Sequence, residues 1–480
     1  MDLFDAFHED ISAGGLDGLR AGLIGREVQI DGGFGPRRLL YADHVASGRA
    51  LAQVEDFIRD RVLPFYANSH TEASWCGGFM TRLRESARAR ILDLAGGDAT
   101  CHAFFTGAGA TAGLNLLVSQ LRIAERVRAG GRVVVLTGPY EHHSNILPWR
   151  ESGATVAEIP EAAGGGPDLD VLAARLVAVR GAELVVGAFS ACSNVTGIIT
   201  DPVPVTRLLQ AHGALAVWDY AGGGPYLPLD MAPAADCALD AVVLSPHKFP
   251  GGPGASGLLL ARDTVLGNSR PHRPGGGTVS FVSPWGHDYS TRVEAREEGG
   301  TPNVLGDIRA ALVLTVKAAI GAGRIMRHER RMRERALAAW AGVPGLDLLG
   351  ADTQAAALPI FSFRLRDADG GVIHHQLATR ILSDFHGIQA RGGCACAGPY
   401  AHRLLGIGEG ASAEMRARLR AGAELDKPGW VRLNISYLHD EPEVARLLSA
   451  VADLPRRAAE LAPLYQGDPA TARFALRRSA

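Results

Sequence analysis

Two ionisable side chains in this sequence stand at the ends of short apolar segments. Asp219 follows residues 214–218, and Lys248 comes soon after residues 242–244. Such segments predict buried strands of a parallel sheet, which binds ligands at the carboxyl ends of its strands. There a lysine amine can condense with a carbonyl cofactor, and a carboxylate can keep the ring nitrogen of pyridoxal phosphate protonated. The alternatives are an ordinary Asp–Lys ion pair and a surface lysine in a turn.

A glycine-rich turn in residues 102–117 could hold an anion. The segment HAFFTGAGATAGLNLL is typical of a short strand, a turn and the start of a helix, which together aim backbone N–H groups and a helix dipole at one point. Gly107, Gly109 and Ala112 nearly form a dinucleotide fingerprint, but the next strand does not end in the acidic residue that holds a ribose. A single phosphate held by Thr111 and the neighbouring amides fits better, and a purely structural turn is the alternative.

Polar side chains also follow the other predicted strands. His142, in PYEHHSNILPW, can stack on a flat heterocycle or relay protons, and the alternative is a histidine that only hydrogen-bonds within its loop. Residues 184–189 lead into SACSNVTG, which places Ser193, Asn194 and Thr196 at one strand end. Because all these groups converge on one sheet edge, they favour a ligand site there.

The elements that must position these residues alternate between strand and helix, with helical patterns at residues 169–179 and 203–212. This order predicts an α/β fold with a mostly parallel sheet flanked by helices. We expect an N-terminal arm with little periodicity at residues 1–40, a large domain at 41–310 and a smaller α/β domain at 311–480. One long helix is expected from residue 306 to about 340. The small domain carries the loop RGGCACAGPY, residues 391–400, with a guanidinium and two thiols.

Composition limits the class of protein. The chain has 480 residues, 47% of them apolar, and a formal net charge of −2, so a large core is expected and electrostatic binding to nucleic acid or an anionic membrane is not. The start MDLFDAFHED has no secretory pattern, and no apolar run is long enough to span a bilayer. Six scattered cysteines do not resemble a disulfide framework, and the histidine spacings do not match a metal site. We expect a cytoplasmic protein without a structural metal.

With these motifs assembled, the chain resembles the class V aminotransferase family of fold-type I pyridoxal-phosphate enzymes. Within that family it is most similar to the cysteine desulfurase and selenocysteine lyase branch, and the similarity covers residues 41–454. The motifs that carry it are GATAGLN, EHHSNILPW, SNVTG, Asp219, SPHK, GGGT, REEGGTPN and RGGCACAG. The resemblance implies a lyase that removes sulfur from L-cysteine or a derivative, leaving alanine and a persulfide on Cys396.

The resemblance also implies how the cofactor, pyridoxal 5'-phosphate, is held. Lys248 would form the Schiff base and later transfer a proton, Asp219 would pair with the pyridine nitrogen, and His142 would stack on the ring. Asn194 would lie near the phenolic oxygen of the ring. The residues implied to hold the phosphate are Ala110, Thr111, Ser245 and His247.

For the substrate, the resemblance implies that Arg391 grips the carboxylate with Asn194 nearby, and that Cys396 attacks the sulfur. In related dimers the GGGT segment reaches the phosphate of the neighbouring subunit, so Thr278 implies a homodimer with composite active sites. A sulfur-acceptor protein is a further possible partner.

Two features depart from the family pattern. Gly222 stands where a glutamine usually bonds the phenolic oxygen, and Cys394 precedes Cys396 by two residues, a cysteine pair also similar to that of molybdenum-cofactor sulfurases. These departures keep open a second interpretation: an aminotransferase, an epimerase or another amino-acid lyase in which Cys396 is not catalytic. A sulfur-transfer scaffold without the chemistry and a nicotinamide enzyme are the remaining, less favoured alternatives.

Overall fold

The computed structural model describes residues 2–68, 72–351 and 354–477. The helices are α1 (Leu3–Ala21), α2 (Ala52–Phe57), α3 (Trp75–Leu94), α4 (Gly109–Gln120), α5 (Ile123–Arg128), α6 (Leu147–Glu151), α7 (Leu169–Ala178), α8 (Pro202–Ala211), α9 (Val293–Glu297), α10 (Val304–Ile320), α11 (Ala322–Trp340), α12 (His375–His386), α13 (Gly398–Leu404), α14 (Glu409–Arg420) and α15 (Glu441–Leu461). The strands are β1 (Gln29–Asp31), β2 (Pro36–Arg38), β3 (Leu40–Tyr41), β4 (Cys101–Gly107), β5 (Val133–Thr137), β6 (Thr155–Glu158), β7 (Leu184–Ser190), β8 (Leu215–Asp219), β9 (Ala241–Leu244), β10 (Gly257–Arg262), β11 (Val279–Ser283), β12 (Gly286–Tyr289), β13 (Leu346–Leu348), β14 (Ile360–Arg366), β15 (Val372–Ile373), β16 (Ile388–Gln389), β17 (Arg391–Gly393), β18 (Trp430–Asn434), β19 (Tyr465–Gly467) and β20 (Phe474–Leu476).

A seven-stranded sheet with the order β4-β10-β9-β8-β7-β5-β6 forms the centre of the large domain. Its strands are rich in β-branched and apolar residues because both faces are covered by helices. Strands β5 to β9 run parallel, and β10 is antiparallel to both of its neighbours. Ser190 pairs with Asp219, and Asp219 pairs with Val243, so the carboxyl ends of three strands stop together. The predicted α/β class and mostly parallel sheet are confirmed.

The smaller sheet is antiparallel and has the order β13-β14-β18-β17, with β15 added beside β14. Side chains from α11, α12 and α15 cover it and form a second apolar core. Strand β16 pairs in parallel with β3, which ties the chain around residue 40 to the small domain. This sheet places the loop after β17 opposite the strand ends of the large sheet.

The first 40 residues differ from the expected arm. Helix α1 buries Phe4, Phe7, Ile11 and Leu19 in the core of the large domain, against α10. These residues follow the three- and four-residue spacing of a helix face. The glycines at positions 14 and 15 obscured that pattern in the sequence, and the structure has a kink at Gly15, where φ is 55°.

The single long helix expected from residue 306 is wrong, because the chain forms α10 and α11 with Gly321 between them. Gly321 has a φ of 85°, a left-handed conformation that other residues seldom adopt and that ends α10. Helix α10 lies in the first core, whereas Met332, Ala336 and Trp340 of α11 lie in the second. The domain limit at residue 310 stays a prediction.

Lys317 is a buried lysine in α10, and its amine donates to the carbonyl oxygen of Leu227. Burial lowers the pKa of Lys317 to about 7, far below the pKa of a lysine in the unfolded chain. Between about pH 7 and pH 10 the unfolded chain therefore binds a proton that the folded protein does not, and the free energy of unfolding rises with pH.

We expect Lys317→Met to remove this part of the pH dependence, which amounts to at most about 1.4 kcal/mol per pH unit. The free energy of unfolding of the Met variant should exceed that of the parent by the largest amount at pH 7, and this difference should shrink towards pH 10. Urea unfolding of both proteins at several pH values measures it. A difference in the free energy of unfolding that stays constant with pH would show that Lys317 does not lose a proton on folding.

Within the described ranges, none of the helices combines the length and the apolar character that crossing a membrane requires. The same residues contain no group of three or more His, Cys, Asp or Glu side chains arranged to hold a metal ion.

Candidate active site

A cavity of about 230 Å³ lies at the carboxyl ends of the large sheet, between the start of α4 and the loop that follows β17. Thr278 does not line it: its hydroxyl donates to the carbonyl oxygen of Gly275 at 2.6 Å. All other predicted site residues do line it: Ala110, Thr111, His142, Asn194, Asp219, Ser245, His247, Lys248, Arg391 and Cys396. The structure therefore brings together side chains that lie up to 286 positions apart in the chain.

Lys248 ends the short 3-10 turn Pro246–Lys248, directly after β9. Its side chain borders the cavity, and burial of the ammonium lowers the pKa of Lys248 to about 8; Asp219 opposes this shift, whereas Arg432 and Arg391 add to it. A lowered pKa increases the fraction of neutral amine near pH 7, which is the form that attacks a carbonyl group. The position and the charge state both suit a nucleophilic lysine.

Asp219 is the last residue of β8 and is buried. Its Oδ1 accepts a hydrogen bond of 2.7 Å from the backbone N–H of Ala221. Burial raises the pKa of Asp219, while that hydrogen bond and the charge of Lys248 work against the rise. A carboxylate held in this way is stabilised by a cationic donor placed in the cavity.

The start of α4 and the turn after β9 form a compact cluster of hydrogen-bonding groups. The backbone N–H of Ala110 donates to Ser245 Oγ at 3.0 Å, and the hydroxyls of Thr111 and Ser144 lie 2.6 Å apart. A Cβ at Gly257 would come within 2.5 Å of the backbone of Gly109, so only glycine permits this close approach. Such a cluster at the N-terminus of a 12-residue helix can hold an anion.

His142 caps the 3-10 turn His143–Asn145, and its Nδ1 accepts a hydrogen bond of 3.1 Å from the N–H of Ser144. Burial lowers the pKa of His142 to about 3, with further lowering from Lys248 and His143. His247 is similar, because burial and Lys248 lower its pKa to about 4. Both imidazoles are therefore neutral near pH 7, and a neutral ring at the cavity wall can stack on a flat heterocycle.

Two guanidinium groups enter the cavity from the small domain and share one carboxylate. Asp43 Oδ2 accepts from Arg391 Nε at 3.1 Å, and Asp43 Oδ1 accepts from Arg432 Nη2 at 3.0 Å. Arg432 also donates to the backbone oxygen of Asn194 at 3.1 Å. Arg432 is buried and Arg391 is half exposed, so the cavity has two fixed cations that can bind an anionic substrate.

We expect Arg391→Met to raise KM for an amino-acid substrate by roughly 10- to 100-fold, because one charge-assisted hydrogen bond to its carboxylate is lost. The change in kcat should be smaller, since a group that binds the substrate carboxylate would act on the ground state and the transition state alike. Steady-state kinetics measure both constants, and Arg420→Met, on the exposed end of α14, is the matched control. An unchanged KM in Arg391→Met would show that this guanidinium does not bind the substrate.

Cys396 lies on the cavity wall in the loop between β17 and α13, and its side chain is exposed. Cys394 is half-buried, packs against an apolar cluster that includes Tyr140 and Trp430, and does not line the cavity. The structure records both thiols as free. Of the two cysteines, Cys396 is the one that can meet a bound substrate.

Several residues of this site were missed by the sequence reasoning. Arg432 could have been recognised in the sequence, because it is a charged residue inside the apolar strand β18. Ser144 lies within the EHHSN motif that was noted for its histidine. Asp43 and Glu141 gave no such signal: Asp43 acts only through two arginines far along the chain, and Glu141 accepts hydrogen bonds from Asn145 and Ser190. Burial raises the pKa of Glu141 to about 7.

The doubly flanked sheet, the cavity at its strand ends, and Lys248 with Asp219 inside it define an enzyme with the fold of fold-type I pyridoxal-phosphate enzymes. The chain belongs to the aminotransferase class-V family, whose model matches residues 40–426. Members of this family depend on pyridoxal phosphate, and the predicted family and enzyme class are confirmed.

The relatives of this chain include proteins named as probable cysteine desulfurases. It is 27% identical to a probable cysteine desulfurase of Halalkalibacterium halodurans, over 75% of this chain and 84% of that protein. It is also 27% identical to a probable cysteine desulfurase of Vibrio cholerae, over 91% of this chain and 97% of that protein. The match to the second protein extends over nearly the whole of both chains.

Solved structures share the fold. A cysteine desulfurase from Thermococcus onnurineus, in its apo form, superposes with a TM-score of 0.71 at 24% identity, covering 87% of this chain and 95% of the other. A cysteine desulfurase from Escherichia coli gives a TM-score of 0.67 at 24% identity, covering 88% and 95%. A superposition that covers this much of the chain includes residues of both the large and the small domain.

Proposed function

We propose that this protein is a pyridoxal-phosphate-dependent cysteine desulfurase, which converts L-cysteine or a derivative to alanine and leaves the sulfur as a persulfide on Cys396. The observation that carries the proposal is that Lys248, Asp219 and Cys396 line one cavity. The two relatives named above are called probable cysteine desulfurases, which supports the same reaction.

The residues present fit pyridoxal phosphate. Asp219 is buried without an ion pair to any described side chain, and burial raises its pKa, so a protonated ring nitrogen would relieve an existing cost. Asn194 Oδ1 is buried and has no hydrogen-bond partner among the described residues. Hydroxyl and amide groups converge at the start of α4, where the phosphate would bind. The described residues thus offer a matching group for each end of the cofactor.

In this proposal Lys248 holds the cofactor, Asp219 holds the proton on its ring nitrogen, and His142 packs on the ring. The proposed phosphate ligands are Ala110, Thr111, Ser245 and His247. When bound, pyridoxal phosphate withdraws electrons from the α-carbon of the amino acid and thereby weakens neighbouring bonds. Lys248 then transfers the proton at that carbon, and Arg391, together with Arg432, holds the substrate carboxylate.

Cys396 carries the sulfur chemistry. Its thiolate attacks the sulfur of the substrate, a new S–S bond forms, and the C–S bond breaks. The electron pair of the broken bond stays with the β-carbon of the substrate, which takes up a proton and becomes the methyl group of alanine. One thiol and one cysteine therefore give one persulfide and one alanine, without an added oxidant or reductant.

The partner proposals rest on the segment around Thr278. We propose a homodimer in which this segment reaches the active site of the second subunit. Support comes from the hairpin β11–β12 that follows Thr278, where Phe281, Val282 and Trp285 are exposed, Trp285 to 92%. Exposed apolar groups of this size are typical of an interface. A cytoplasmic location, where thiols stay reduced, and a sulfur-acceptor protein complete the proposal.

Product analysis tests the proposed reaction. Purified enzyme with added cofactor should convert L-cysteine to alanine, and peptide mass spectrometry should find one extra sulfur atom on the Cys396 peptide. A panel of L-cysteine, L-selenocysteine and cysteine derivatives would then rank the substrates. Pyruvate in place of alanine would indicate an elimination lyase and would overturn the desulfurase assignment.

The matched family is broader than the desulfurases, so a second candidate remains: an aminotransferase, an epimerase or another lyase in which Cys396 is not catalytic. The cavity favours it at one point, because Gly222 places no side chain near Asn194. Transfer of the amino group to an added keto acid, with no sulfur on Cys396, would support this candidate.

A further inference from the structure

The loop that presents Cys396 contains a tight turn in an unusual backbone conformation. The N–H of Ala397 donates to the carbonyl oxygen of Cys394 at 3.1 Å, which closes a four-residue turn. Its two central residues, Ala395 and Cys396, have φ values of 53° and 56°. Positive φ at both central positions is typical of a type I′ turn, which glycine and asparagine favour. Alanine and cysteine carry a Cβ that disfavours it, so the turn is strained.

Groups outside the turn hold it in this conformation. The N–H of His143 donates to the carbonyl oxygen of Cys396 at 2.8 Å, and the ring Nε2 of His143 accepts from the N–H of Gly398 at 2.9 Å. The side-chain amide of Asn194 donates to the carbonyl oxygen of Ala395 at 2.8 Å. Each of the three carbonyl groups from Cys394 to Cys396 therefore has a donor, and two of those donors come from the large domain.

One holding residue, Asn194, lines the cavity, and the other, His143, is next to a residue that lines it. His143 begins the 3-10 turn that His142 caps, and burial, with the charge of Arg150, lowers the pKa of His143, which keeps its ring able to accept a hydrogen bond. Asn194 lines the cavity and is buried, and its Oδ1 has no hydrogen-bond partner in the part of the chain that the structure describes. The position of the thiol is thus tied to the residues around the ligand site.

We infer that His143 and Asn194 are positioning residues that hold the strained turn at Ala395 and Cys396 and so keep the thiol directed at the substrate. This inference rests on the proposed function, because it assigns the turn a purpose in sulfur transfer. Without the holding contacts the turn relaxes to negative φ values, and the thiol leaves the cavity. Because the turn is strained, the loop has two conformations, the held one with positive φ values and the relaxed one with negative φ values.

The test combines two readouts: alanine formation from L-cysteine, and the rate at which iodoacetamide alkylates Cys396, followed by peptide mass spectrometry. His143→Leu removes the acceptor for Gly398. We expect it to slow alanine formation by roughly fivefold or more and to speed alkylation of Cys396 by a similar factor, as for one lost hydrogen bond. His143→Gln retains an acceptor and should lie closer to the parent in both readouts.

Substitutions at Ala395 distinguish an effect of backbone strain from a general loss of structure. Glycine accepts positive φ without a Cβ penalty, so Ala395→Gly should reverse both effects of His143→Leu in the double variant. Ala395→Val, which resists positive φ, should alone behave like His143→Leu. Cys237 is buried in the core of the large domain and does not line the cavity, so it serves as an internal control, because global unfolding would expose it to alkylation as well.

Reversal by Ala395→Gly, with Cys237 protected throughout, would support the inference. Unchanged alkylation of Cys396 in His143→Leu, or a double variant no better than the single one, would overturn it. If the parent protein forms no alanine from L-cysteine, the proposed function fails, and the alkylation rates alone still decide whether His143 holds the turn.

Discussion

Lys248→Ala is expected to lower amino-acid turnover by at least about 10³-fold, because the proposed proton-transfer group and the proposed covalent anchor of the cofactor are lost together. The chain has three lysines, at positions 248, 317 and 427. Of these, Lys248 lines the cavity, Lys317 is buried against Leu227, and Lys427 is exposed. The low lysine content makes the site of attachment unusually easy to identify.

Borohydride reduction followed by peptide mapping measures the attachment directly. The parent protein should retain the cofactor on the peptide that contains Lys248, and Lys248→Ala should retain none. Lys427→Ala is the matched control and should keep both the label and the parent rate. A label on another lysine, or parent-like turnover in Lys248→Ala, would show that the anchor has been assigned wrongly.

The shared location of Lys248 and Asp219 could be predicted from the sequence because it depends on local order. Asp219 and Lys248 each follow a short apolar strand, and the ends of neighbouring parallel strands meet at one sheet edge. Glycine spacing at the start of α4 likewise predicts an anion site. In each case the chemistry follows from a residue and the few positions before it, and the structure places these residues around one cavity.

The second cation of the site could not be predicted in this way. Asp43, 389 positions earlier in the chain, accepts hydrogen bonds from both Arg432 and Arg391 and so orients the two guanidinium groups at the cavity. That arrangement depends on the docking of the small domain, which no local pattern encodes. The same holds for the turn at Ala395 and Cys396, since both residue types argue against positive φ and the contacts that impose it come from the large domain.

Helix α1 illustrates a different cause of failure. Its apolar spacing is regular, but the glycines in its middle lower helix propensity and favour an irregular segment. Packing against α10 supplies the stabilisation that the local sequence lacks. Tertiary contacts therefore decided the structure of the N-terminus, as they decided the conformation of the Cys396 turn.

Cys396→Ser is expected to lower the formation of alanine from L-cysteine by at least about 10³-fold, the order of effect seen when a covalent nucleophile is removed. A serine hydroxyl stays protonated near neutral pH and does not accept sulfur, whereas the fold and the cavity are unchanged by a substitution of this size. Cofactor binding should therefore persist, and the borohydride label on Lys248 should be that of the parent.

Cys394→Ser is the matched control, because Cys394 is two residues away but packs against the apolar cluster that includes Tyr140 and Trp430 rather than lining the cavity. It should keep most of the parent activity and should still collect sulfur on Cys396. Alanine formation in Cys396→Ser at the parent rate would contradict the nucleophile assignment. Loss of activity in Cys394→Ser together with a persulfide on Cys396 would instead place Cys394 in the release of the sulfur, after the C–S bond has been broken.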